Sequence, residues 1–297
     1  MIGYTVWSEA GGPGKTTFAV TLAKAHERHG QRVLVVDIDP QNGSLSHYLG
    51  VDDERADGDA DNLARHLVGR PRGPFSDLIR ETEEGIDVVP SHNMLENLGD
   101  HLETARQHAE NMGDSFTKEA RLREVLVEAG VPDDYDVLIV DPPATLGQHV
   151  YNAVHATANV LLPVRFSPKG DQSISGLVES VEGIEDTLGD VEVGVLGIVP
   201  NGVKATKTQR AFEERISERD LPLAPVTVHE REAMFDGAWR EHCSAYTFVA
   251  DHRERQRERE LETLAKFDAL ARFVAGEFGV ELTPEDVRED ALDLPNP

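Results

Sequence analysis

Cysteine is almost missing from this chain of 297 residues: Cys243 is the single one. A lone cysteine excludes a disulfide framework, an all-cysteine zinc site and an iron–sulfur cluster held by one chain. Lysine is nearly as scarce, with seven against 22 arginines, and the 29 cationic residues face 55 Asp and Glu. No run approaches the roughly 20 apolar residues that a membrane helix needs. The chain runs from Met1 straight into an apolar segment with no basic stretch before it, so no secretory leader is expected. These absences point to a cytoplasmic protein without a membrane anchor.

The formal net charge is −26. Acids are spread from Glu9 to Asp293, with no acidic tail to account for the excess. Together with the few lysines, this pattern suggests a halophile that keeps molar salt inside the cell. Such a charge repels nucleic acid at low ionic strength. At 1 M salt the Debye length falls to about 3 Å, so a DNA partner is not excluded.

What is present is an alternation of short apolar runs with helical periodicity, the pattern of an α/β fold. Strands are expected at Ile2–Trp7, Val33–Asp37, Ile86–Pro90, Val137–Asp141, Val160–Val164 and Val193–Pro200. They are continuously apolar, as in a mostly parallel sheet with helices on both faces. Helices are expected at Lys15–Arg28, Arg121–Ala129, Ser173–Thr187, Thr206–Arg219 and within Arg253–Phe278. In the last, Phe267, Leu270, Ala271, Val274 and Phe278 share one face. One domain over 1–280 and a polar, acidic tail over 281–297 complete the expected layout.

The first strand is followed by Ser8-Glu9-Ala10-Gly11-Gly12-Pro13-Gly14-Lys15-Thr16-Thr17 and then by an amphipathic helix. Strand, glycine-rich loop, Lys-Thr and helix together form a phosphate cradle. Backbone N–H groups of Gly11, Gly12 and Gly14 converge there, Pro13 shaping the turn without an N–H of its own, and the helix N-terminus adds its dipole. Lys15 would reach the β- and γ-phosphates and Thr16 would ligate Mg²⁺. The strict G-x-x-x-x-G-K-S/T pattern fails at its first position, Glu9. The second strand ends in Val35-Val36-Asp37-Ile38-Asp39-Pro40-Gln41. In an extended chain Asp37 and Asp39 would point to the same side, at the ligand edge of an open parallel sheet. One carboxylate would hold a metal-bound water and the other would orient the attacking water. A third apolar strand ends in Asp141-Pro142-Pro143, a Walker B pattern with Asp141 serving the Mg²⁺ shell.

With these three motifs in order, the chain resembles the ParA/MinD-type deviant-Walker P-loop ATPases. The loop Asp141–Gly147, the segment Ser175-Gly176-Leu177 and the block Gly197–Asn201 extend the resemblance over roughly residues 1–275. It implies an ATP-dependent homodimer, slow Mg²⁺-dependent hydrolysis of ATP, and a role in partitioning or positioning. By the family pattern Asp39 activates the attacking water, Asp37 supports the Mg²⁺ shell, and Lys15, Thr16 and Thr17 hold the phosphates. Asn201 resembles the adenine-contacting asparagine; a turn or helix-cap residue is the alternative. One departure stands out: the family's signature lysine before the Gly-Gly pair is Ala10 here. The missing cation would be a K⁺ ion near Ala10, or a side chain such as Lys169 or Arg165.

The loop begins within ten residues of Met1, which resembles the short ParA proteins that lack a separate N-terminal DNA-binding domain. Such proteins bind DNA non-specifically, and a ParB-like or cargo-adaptor partner is implied. Lys204, Lys207 and Arg210 are candidates for the DNA face. Arg253, Arg255, Arg257 and Arg259 alternate with Glu254, Glu258 and Glu260 and read better as a salt-bridged helix. The acidic C-terminus argues against a basic membrane-binding helix. Cys243 reads as a packing residue, and His26 and His29 as surface residues. A DNA-dependent positioning ATPase with a nucleoid-associated location and a hydrolysis-weak nucleotide switch both remain open.

Overall fold

The computed structural model describes residues 1–8, 14–42, 44–165, 170–189, 191–203 and 222–284, apart from the side chains of 170–175, 177 and 178. The expected helix Thr206–Arg219, most of the acidic tail and the loop residues Ala10, Gly11, Gly12 and Pro13 lie outside the described residues. So do Lys169, Lys204, Lys207 and Arg210.

Seven strands form one sheet: β1 (Ile2–Val6), β2 (Val33–Asp37), β3 (Arg80–Glu81), β4 (Asp87–Val89), β5 (Val137–Asp141), β6 (Asn159–Arg165) and β7 (Gly194–Asn201). Their spatial order is β3-β4-β2-β5-β1-β6-β7. Every pair is parallel except β3 with β4. The six expected strands are all present. The addition is β3, whose two residues carry too little pattern to be read from sequence.

The apolar runs are continuous because both faces are covered. Val33, Val35, Val137 and Ile139 pack with helix Lys15–Arg28, residues 234–249 and helix Glu258–Glu277. Leu34, Val36, Leu138 and Val140 point the opposite way, onto residues of helices Leu63–Leu67, Leu98–Met112, Arg121–Glu128 and Gln148–Thr157. Successive strand side chains alternate between these two cores, as the strand period of two requires.

Helix Lys15–Arg28 is held down by helix Glu258–Glu277. Phe18 meets Phe267 edge to face, with ring centroids 4.9 Å apart. His29 Nε2 lies 2.8 Å from Asp268 Oδ1, and His26 Nδ1 lies 2.7 Å from Gln31 Oε1. The expectation of surface histidines at 26 and 29 is therefore corrected. The covering helix comes from the far end of the chain and buries the last turn. Among the described residues no helix is long and apolar enough to cross a membrane.

Candidate functional site

The carboxyl ends of neighbouring strands bring the expected residues together. β2 and β5 run in register, with Asp37 opposite Asp141, and β1 lies on the other side of β5. After the loop that follows β1, Gly14 opens helix Lys15–Arg28 with φ +84°. That left-handed conformation suits glycine and strains other residues. Lys15, Thr16 and Thr17 then form a half-buried first turn that contains no acidic residue. No carboxylate of that turn competes for its N–H groups, so the helix end remains suited to an anion.

Thr16 Oγ1 donates to Asp141 Oδ2 at 2.8 Å. Asp141 Oδ1 is buried and has no partner. Burial first, and then the neighbouring Asp37 and Asp39 carboxylates, push the Asp141 carboxyl well above the usual range. Burial lowers the Lys15 pKa, while Asp141 and Asp39 oppose that shift. The buried cluster thus holds more carboxylates than lysines. Among the described residues no three His, Cys, Asp or Glu side chains converge to hold a metal alone. A hard divalent cation would take the free Asp141 oxygen, the Thr16 hydroxyl, phosphate oxygens and water, a set that suits Mg²⁺.

Asp37 is fully buried and is committed to its own loop. Its Oδ2 accepts from Ser44 Oγ at 2.6 Å, Ser46 N at 2.8 Å and Ser46 Oγ at 2.5 Å. Burial pushes its pKa up to about 6, against the lowering effect of these bonds. β2 stops at Asp37, so the alternation expected over 37–39 ends there. Turns closed by side chains take over: Asp39 N donates to Asp37 Oδ1 at 3.1 Å, and Gln41 N to Asp39 Oδ1 at 2.9 Å. Asp39 is the more open of the two. Ser44 and Ser46 were not singled out from sequence; their signal is a pair of hydroxyls seven and nine residues after Asp37.

At the start of helix Lys15–Arg28 opens a cavity of about 180 Å³, lined by Gly14, Thr17, Phe18, Arg165 and Asn201 among others. Asn201 ends β7 opposite Arg165, which ends β6. Asn201 Oδ1 accepts from Gly202 N at 2.7 Å, a turn role. Its Nδ2 would lie 3.3 Å from a Cβ on Gly14, so the same side chain also faces the start of helix Lys15–Arg28. Arg165 Nη2 is 3.8 Å from Glu230 Oε1.

Where the arginines near 255 are seen in pairs they meet an acid as expected, but not on a helix: Arg253, Arg255 and Arg257 precede helix Glu258–Glu277. Arg253 and Arg257 approach Glu260 Oε1 at 2.7 and 3.9 Å. Cys243 is buried, and burial pushes its thiol up to about 12, which leaves it protonated and inert.

Residues 4–192 match the family model described as AAA domain. The sporulation initiation inhibitor protein Soj of Bacillus subtilis is 30% identical over 183 residues, 62% of this chain and 66% of Soj. That match spans just under two thirds of Soj's own length. The maintenance of carboxysome distribution protein A of Synechococcus elongatus is 28% identical over 222 residues, 72% of this chain and 79% of that protein. The septum site-determining protein MinD of Pyrococcus horikoshii, solved in complex with Mg-ADP, superposes with a TM-score of 0.65 at 22% identity, covering 93% of this chain and 96% of MinD. At that identity the likeness is one of fold.

Proposed function

From a chain that belongs to the ParA/MinD-type P-loop ATPases, we propose an ATPase that dimerises on ATP and positions or segregates DNA or other cargo. The ATP-bound homodimer binds DNA non-specifically, and a ParB-like or cargo-adaptor protein regulates it. The names of a similar probable plasmid-partitioning protein ParA of Thermus thermophilus and of the carboxysome distribution protein support both kinds of cargo. The single observation that carries the nucleotide reading is the Thr16–Asp141 contact, with the other Asp141 oxygen buried and unpartnered beside Lys15.

When bound, ATP supplies the bond to be hydrolysed to ADP and phosphate, and Mg²⁺ offsets its charge. Lys15 holds the β- and γ-phosphates, with Gly11, Gly12, Pro13 and Gly14 as the backbone cradle. Thr16 and Asp141 would hold the metal directly. Asp37, saturated by Ser44 and Ser46, supports that shell from behind by fixing its loop. Asp39 orients the attacking water and accepts its proton. Asn201 contacts the adenine from the cavity beside Gly14. Lys204, Lys207 and Arg210 form the DNA face, and a K⁺ ion near Ala10 replaces the family's lysine. A side chain, Lys169 or Arg165, would do so instead, and Arg165 lines the cavity beside Gly14.

Ala10 supports a second reading, a nucleotide-regulated adaptor with little hydrolysis. ATP turnover at molar KCl, with and without DNA, separates the two. The ATPase should turn over, and Asp39→Ala should bind ATP and lose turnover by about 100-fold or more. Parental turnover in that variant would remove Asp39 from its role. Absent turnover in the parent, with tight ATP binding, would favour the adaptor.

A further inference from the structure

Residues 51–55 and 90–93 carry no nucleotide motif, yet they close around the loop that follows β2. Arg55 stands at the centre. Its Nη2 donates to the Pro40 carbonyl, its Nε to Asn42 Oδ1 at 3.1 Å and its Nη1 to Ser91 Oγ at 3.2 Å. Ser91 Oγ in turn donates to the Asp39 carbonyl at 2.6 Å. Ser91 N donates to Ser46 Oγ at 2.8 Å, the hydroxyl that holds Asp37. One guanidinium and one serine thus fasten the carbonyls on either side of the Asp39–Pro40 bond and the amide of Asn42.

The charge of Arg55 makes this arrangement unusual. Arg55 is 9% exposed, and among the described residues no carboxylate pairs with it. Of the acids nearby, Glu54 pairs with Arg80 at 2.5 Å and Asp61 with His66 at 3.0 Å. A buried cation without a counter-ion costs desolvation energy that an apolar side chain avoids. The planar fork gives in return several directed bonds at fixed angles, two to the Asp39 loop itself and one to Ser91, which binds the same loop.

We infer that Arg55 is a positioning residue, which holds the Asp39 loop in place. The inference rests on the hydrolytic role proposed for Asp39. The side-chain turn from Gln41 N to Asp39 is local and partly exposed and does not by itself set the loop against the sheet. The Arg55–Ser91 bracket does. A displacement of about 1 Å in a reacting group is enough to cost on the order of 100-fold in rate.

The test uses Arg55→Gln, Arg55→Lys and Ser91→Ala in the full chain. Mg-ATP turnover, ADP affinity and thermal midpoint are measured, together with amide hydrogen exchange without nucleotide. For Arg55→Gln we expect kcat to fall by about 10- to 100-fold, with ADP affinity near parental and faster exchange confined to residues 38–46. Arg55→Lys should lie in between, because an ammonium cannot reproduce the fork. Ser91→Ala should speed exchange in the same segment. Unchanged exchange over 38–46 overturns the inference whether or not the parent hydrolyses ATP. Loss of ADP affinity in step with the thermal midpoint also overturns it, by showing a general structural role. If the parent lacks turnover but exchange still rises locally in the variants, the bracket stands and the hydrolytic reading falls.

Discussion

Thr16 and Asp141 are 125 residues apart in sequence, yet the hydroxyl of one donates to the carboxylate of the other at 2.8 Å. The contact joins the first turn of the phosphate-loop helix to the end of β5. The other oxygen of Asp141 is buried without a partner, and an unpaired buried acceptor costs about 1–3 kcal/mol, more when charged. A bound cation relieves that cost, so Thr16 and Asp141 should matter chiefly when Mg²⁺ is present. Thr16→Ala should weaken ADP binding by about tenfold or more with Mg²⁺ and leave it near parental in EDTA, as read by calorimetry. Equal losses in both conditions would assign Thr16 a structural role.

The same reasoning applies to the two residues that meet at the helix start. Gly14 has φ +84°, and a Cβ there would press on Asn201 Nδ2 at 3.3 Å. Gly14→Ala therefore combines backbone strain of about 1–3 kcal/mol with displacement of Asn201. The expected outcome is lower thermal stability and weaker binding of every nucleotide. Asn201→Ala should keep most of the stability and lose adenine nucleotides by about tenfold while inorganic triphosphate binds as before. If Asn201→Ala weakens triphosphate equally, its amide serves the turn to Gly202 rather than the base.

Parts of this arrangement were legible in the sequence for physical reasons. Val33–Asp37 and Val137–Asp141 are buried on both faces, so they read as unbroken apolar runs that end in acids. Gly14-Lys15-Thr16 is legible because a glycine suits the left-handed turn that opens helix Lys15–Arg28. Helix Leu98–Met112 was not read, since only Leu98 and Leu102 are buried in it and they give too little period. Ser44, Ser46, Arg55 and Ser91 were missed for a different reason. A loop hydroxyl or a single arginine has no period, and its partner is set by how the loops close over the sheet. His26 and His29 were misread because the covering residue, Asp268, lies 239 positions beyond His29.

The position of Ala10 leads to a prediction about ions. Two triphosphates brought together in a dimer repel, and the family's lysine is missing. With K⁺ in that role, turnover and dimerisation should be higher in KCl than in NaCl at equal ionic strength. Ala10→Lys should reduce the difference. Equal behaviour in both salts would sink the ion, and loss of dimerisation in Lys169→Ala or Arg165→Ala would then assign the charge to that side chain.

The buried end of helix Lys15–Arg28 should leave its mark on the pH dependence of stability. Burial holds the His26 imidazole down at about 4, from an ordinary 6.5, despite its bond to Gln31; the nearby His29 adds to the lowering. Between pH 6.5 and 4 the unfolded chain takes up a proton that the folded chain refuses. Stability from this group is therefore intact above the upper value and is lost as the pH falls through the window, by roughly 3 kcal/mol in all. Asp37 acts in the opposite sense. Its folded pKa of about 6 lies above the ordinary 3.8, so its contribution falls as the pH rises between them. The parental curve is the sum of both, and His26→Gln removes only the first. Urea unfolding at pH 7.5 and 4.5, in molar KCl, should show a smaller acid loss in the variant than in the parent. Parallel losses would mean that His26 is protonated in the folded protein and that its burial costs little.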